Sequence, residues 1–115
     1  MKNKKKSKLN YLDFIPKHNE KHTWKADENG AVTIFIENKG VFNQFAQKYF
    51  DKPEVSQVHL EEMGSFIWPI IDGEKTITEI GEVVREHFGE NANPLYERLV
   101  KYFQILESYR FIKWN

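Results

Sequence analysis

Residues Gly64 to Ile80 read GSFIWPIIDGEKTITEI, and how this span divides into elements decides the fold. With Met63 ahead of it, Phe66, Ile67, Ile70 and Ile71 fall at helical spacing, which predicts a helix over Glu61 to Ile71. Pro69 has no N–H to donate and is expected to kink or loosen the last turn. Asp72-Gly73 reads as the stop, because glycine takes the left-handed conformation that follows a helix C-terminus. Thr76 and Glu79 then form a capping box that opens a second helix, with Ile77, Ile80, Val84 and Phe88 on its buried side and Gly89 at its end.

Asn93-Pro94 reads as an N-cap followed by proline at the first helical position, so a last helix is expected from Pro94 to about Tyr109. Its large apolar residues sweep an arc of roughly 200°, about twice the stripe a surface helix needs to face a core. Leu95, Leu99, Tyr102, Phe103, Leu106 and Tyr109 lie on one side, with Tyr96 and Val100 at one edge and Ile105 at the other. Either the hairpin and the first helix bury both sides of that arc, or part of it is left for a partner. Phe111 to Trp114 closes as a short extended piece.

Upstream of Gly64, Thr23 to Lys25 and Ala31 to Glu37 predict a hairpin about Asp27-Glu28-Asn29-Gly30. Val32, Ile34 and Ile36 make one face aliphatic, and Phe35 adds apolar surface to the other. Val41 to Phe50 has helical spacing and ends before Pro53, and Val55 to Leu60 reads as a third strand. The expected class is α+β: a three-stranded antiparallel sheet on three helices, with an extra short helix between strands two and three. Residues 1–22 are expected to form a flexible basic tail and 23–115 a single domain.

The chain of 115 residues has no cysteine, which removes disulfides, thiolate metal sites and a cysteine nucleophile. No stretch approaches the ~20 apolar residues of a membrane span, and no signal-peptide core follows the basic start, so a cytoplasmic location is expected. The net charge of +0 conceals an asymmetry: Met1 to Lys25 carries eight lysines against Asp13 and Glu20, and the rest carries nine basic against fifteen acidic residues. Only the tail would be drawn to phosphate.

No catalytic constellation emerges. His18 and His22 have the spacing of a helical metal pair, but their surroundings give no helix. His59 lies between Val58 and Leu60 with no activated serine or oxyanion turn nearby. The carboxylates Glu61, Glu62, Asp72, Glu74, Glu79 and Glu82 sit where helix starts favour acidic residues. Neither phosphate-cradling motif, GxxxxGK[ST] or GxGxxG, is present. The expectation is a non-enzymatic protein without cofactor or metal.

Taken in order, Leu60, Met63-Gly64, Ile67-Trp68, Asp72-Gly73, Thr76, Glu79-Ile80, Phe103, Leu106 and Phe111-Ile112 resemble the pattern of the PqqD family of pyrroloquinoline quinone biosynthesis and of related recognition domains for ribosomally made peptides. The resemblance runs over about Trp24 to Ile112. It implies a winged helix-turn-helix-like fold that captures the leader segment of a precursor peptide and presents it to a modifying enzyme, often a radical SAM protein. In such domains the peptide adds as a strand to the third strand and rests against the last helix. Carried over, the peptide site is Val55, Ser56, Gln57, Val58 and His59 with Tyr96, Val100 and Phe103. Lys39 to Glu54 departs from the compact family pattern. Two other readings compete: a winged-helix nucleic-acid binder served by the lysine tail, against which the acidic body argues, and a module whose apolar arc is buried by a second copy in a homodimer.

Overall fold

The computed structural model describes residues 11–37 and 55–115. The expected helix over 41–50 and residues 1–10 lie outside these. The chain divides into two compact units, Glu20–Ser65 and a second made of Met1–Asn19 with Phe66–Asn115. Five strands, β1 (Pro16–His18), β2 (Thr23–Ala26), β3 (Val32–Glu37), β4 (Val55–His59) and β5 (Ile112–Trp114), and three α-helices, α1 (Glu62–Ile67), α2 (Ile77–Phe88) and α3 (Leu95–Ser108), are found among the described residues.

In the unit Glu20–Ser65, β2, β3 and β4 form an antiparallel sheet in that order. The hairpin forms where the Asn-Gly pair predicts it. The Gly30 N–H donates to the Asp27 carbonyl, the Asp27 carboxylate accepts from the N–H groups of Asn29 and Ala31, and Gly30 alone takes a positive φ, +85°. This is a turn followed by a left-handed glycine, the usual geometry of the longer hairpin loop. Val32 and Ile34 are buried on one face, as the alternation requires.

One rung of the β3–β4 ladder is completed by a side chain. The Leu60 N–H donates to the Val32 carbonyl at 3.0 Å, but the return bond is replaced by the Ser65 hydroxyl, which accepts from the Val32 N–H at 2.9 Å and donates to the Leu60 carbonyl at 3.1 Å. Ser65 is 5% exposed, so no water can take its place easily. Ser65→Ala should cost about 1–3 kcal/mol, the penalty for orphaning buried backbone groups. Urea denaturation of the variant would measure it.

In the other unit, Pro69 converts the expected last turn into a 3-10 turn, Trp68–Ile70, so the regular helix ends at Ile67 and not at Ile71. Asp72-Gly73 is a corner rather than a helix cap. Ile71 is already extended, the Asp72 carboxylate accepts from the N–H groups of Glu74 and Lys75, and Gly73, at φ +80°, donates its N–H to the Pro16 carbonyl. A Cβ on Gly73 would meet the Lys17 Cβ at 3.3 Å, which is why the close pass of β1 favours glycine here. The capping box is present in full: the Glu79 N–H donates to the Thr76 hydroxyl and the Thr76 N–H to the Glu79 carboxylate.

Asn93 does not cap the last helix. Pro94 occupies the N-cap with extended backbone, and no side-chain cap bond is made. The far end closes with two bonds, Arg110 N–H to the Glu107 carbonyl and Phe111 N–H to the Leu106 carbonyl, with Leu106 and Phe111 both buried. This pairing normally selects glycine at the left-handed position, but Arg110 holds it at φ +64°. Helices α2 and α3 approach closely at Gly81, where a Cβ would stand 2.9 Å from Leu99 Cδ1 and 3.2 Å from Tyr96 Cε1.

The expected flexible tail of residues 1–22 needs correction from Tyr11 onward. Tyr11–Asp13 forms a 3-10 turn, and Pro16–His18 pairs antiparallel with Ile112–Trp114. The Phe14 carbonyl accepts from the Ile77 N–H, the Leu12 carbonyl from the Thr78 hydroxyl, and Asn19 donates through its side chain to the Arg110 carbonyl. Pro16 is fully buried. Lysine counting concealed this because the apolar residues that anchor the strand, Tyr11, Phe14 and Pro16, are scattered without a period.

Candidate functional site

Strand β4 is an edge of its sheet among the described residues. The Leu60–Val32 bond sets which of its backbone groups are free. In an antiparallel ladder bonded and non-bonded pairs alternate. Val58 opposite Ile34 and Ser56 opposite Ile36 therefore point their N–H and C=O toward β3, and Gln57 and His59 point theirs away from it. The side chains agree with this phase, since non-bonded pairs bring side chains closest and the His59 Nδ1 lies 3.0 Å from the Thr33 hydroxyl directly opposite. Gln57 and His59 are exposed and Val58 half-buried.

Helix α3, in the other unit, carries a surface of its own. Its buried stripe is narrower than the apolar arc: Leu95, Leu99, Phe103 and Leu106 are core, Tyr96, Val100 and Tyr102 are half-buried, and Ile105 and Tyr109 are 48% and 56% exposed. Tyr96 and Val100, with Glu97, Lys101 and Gln104, line an open depression of about 470 Å³. The Arg85 guanidinium lies over the Tyr96 ring, 5.6 Å from its centroid, and backs the aromatic wall of the depression from α2. Phe103 does not line it. Its side chain is 0% exposed and belongs to the core of its unit. The helical wheel places Phe103 next to Val100, but whether a residue at the margin of the stripe is covered depends on the neighbouring elements. The roles of Arg85, Glu97 and Gln104 escaped the sequence for a related reason: polar residues on an exposed face carry no periodic signal.

No group of three or more histidines and carboxylates able to hold a metal ion occurs among the described residues. His18 lies in β1, where extended backbone removes the helical geometry that the spacing to His22 would need. Its Nε2–H donates to the Trp68 carbonyl at 2.8 Å, and its ring stacks on the Trp68 indole at 4.0 Å. Burial lowers the His18 pKa, against the opposing pull of that hydrogen bond. The folded state thus binds fewer protons here than the unfolded chain, so this contribution to stability is present above the ordinary imidazole value of 6.5 and is lost as pH falls through it. The urea midpoint should drop between pH 7.5 and 5.5, and His18→Phe should flatten that slope. The Asp72 carboxyl is held well below the usual carboxylate range, first by its hydrogen bond from Lys75, in an exposed pair at 2.8 Å. Tyr11 is pushed up to about 12 by burial and then by the Glu107 charge.

The described residues are mixed helix and strand, with a three-stranded antiparallel sheet, three helices, a sheet edge at β4 and an apolar helix face. The chain belongs to the PqqD family: the family model for coenzyme PQQ synthesis protein D matches residues 51–112 of the 115. The match takes in β4, all three helices and the start of β5, and is narrower than the resemblance from Trp24, leaving the β2–β3 hairpin and β1 outside. No curated protein and no solved structure matches the chain. No helix among the described residues is long and apolar enough to cross a membrane.

Proposed function

We propose that this protein is a non-catalytic peptide-binding module of the cytoplasm that captures the leader segment of a ribosomally made precursor peptide and presents it to a modifying enzyme, of which a radical SAM protein is the expected class. The observation that carries the reading is that β4 is an edge strand among the described residues of a PqqD-family chain, with the backbone groups of Gln57 and His59 directed away from β3. An extended peptide satisfies such groups by adding as the next strand, with affinity from main-chain bonds and selectivity from alternate side chains. The exposed flank of α3 at Tyr96 and Val100 is, taken by itself, an apolar surface of the kind a peptide side chain covers. A winged-helix-like arrangement of the sheet and helices belongs to this proposal.

The test is a titration of the isotope-labelled full chain with the precursor peptide encoded beside its gene. Amide shifts concentrated on Val55 to His59, with side-chain shifts at Tyr96 and Val100, are the expected result. Shifts that avoid both segments would overturn the proposal.

A further inference from the structure

Main-chain pairing alone leaves an incoming strand without a register. Each two-residue slip along β4 restores the same hydrogen bonds, so a peptide held only by them would occupy several positions of similar energy. A side chain on the edge must break that degeneracy. His59 is placed to do so.

Its backbone N–H and C=O point away from β3, so a residue of the added strand opposite it would share both main-chain bonds. That residue would present its side chain on the face that carries the His59 imidazole. The bond from Nδ1 to the Thr33 hydroxyl ties the inner ring nitrogen toward β3 and leaves Nε2 for the open side. With the Thr33 hydroxyl donating to Nδ1, Nε2 carries a proton and can donate it to the new strand.

The charge of this row selects the acceptor. Lys25, Thr33 and His59 lie side by side across β2, β3 and β4, and Lys25 is exposed. Glu62 lies in the first turn of α1, where the helix N-terminus offsets its charge, and Glu61 precedes it. The exposed Lys25 charge and the His59 ring thus favour a carboxylate at the His59 end of the edge.

We infer that His59 sets the register of the bound leader strand, and that the strand carries an aspartate or glutamate opposite it. This rests on the reading of β4 as the peptide edge. The experiment selects phage-displayed peptides of twelve random residues on the full-length protein, and locates the best binder by amide shifts. Enrichment of one acidic position is expected, with nuclear Overhauser contacts placing that residue opposite His59. Changing the acid to its amide should then weaken binding about threefold to fivefold in the wild type and leave His59→Ala unaffected, the scale of a cross-strand polar pair. His59 is exposed, so the variant keeps its fold, checked by its amide spectrum. Selected peptides that seat on β4 with no acidic preference, or with the same amide effect in His59→Ala, would overturn the inference and leave the peptide reading standing. Failure to select any peptide, or seating away from β4, would overturn both.

Discussion

Phe103→Ala is expected to lose about 3–5 kcal/mol of folding free energy, the range for truncating a fully buried aromatic in a core that cannot collapse around the gap. The side chain is 0% exposed and stands edge-on to Tyr102, with ring centroids 5.2 Å apart. A domain of this size has only about 5–15 kcal/mol in hand, so the variant should be close to unfolding at 37 °C. Val100→Ser, one turn away at the rim of the depression, should stay within about 1 kcal/mol of the wild type because its site is already half open. Urea midpoints at constant slope separate the two. A stable Phe103→Ala protein that had lost its ligand would instead return Phe103 to the binding surface.

The second large effect is on binding. Gln57→Pro should fold, because the N–H it removes points away from β3 and proline is tolerated on an edge strand in that phase. Peptide affinity should nonetheless fall about tenfold, the equivalent of one main-chain hydrogen bond of about 1.4 kcal/mol. Val58→Pro, a single residue along, removes a donor directed at Ile34 and should disrupt the sheet itself. Calorimetric titration beside amide spectra distinguishes loss of ligand from loss of fold. Unchanged affinity in Gln57→Pro would mean that the ligand does not pair with this edge.

How much of this was legible in the sequence follows from the range of each signal. The hairpin, the capping box and the 3-10 turn at Pro69 depend on residues within four positions of one another, and each is found where the local chemistry places it. Asp72-Gly73 has the composition of a helix stop, but its geometry answers to β1, more than fifty residues upstream. Asn93 departs from expectation for the complementary reason: a cap residue followed by proline matches the rule, yet Pro94 takes the N-cap position itself. At the site, the strand Val55 to His59 was visible from its composition and the family pattern. Which of its backbone groups face outward was not, since that phase is set by a single bond to Val32. The division of the α3 arc into core and open flank likewise depends on what covers each residue.

The pairing of Pro16–His18 with Ile112–Trp114 has a consequence for biosynthesis. About a hundred residues separate the two strands, so on the ribosome β1 emerges long before the partner that completes it. At about 5–20 residues per second, the wait is on the order of 5–20 s. During that interval Tyr11, Phe14 and Pro16 have no β5 to pack beside, and the Trp68 indole depends on an unpaired strand for its stacking histidine. The unit that holds α2 and α3 is therefore a late-closing one, completed only when β5 is free to pair with β1.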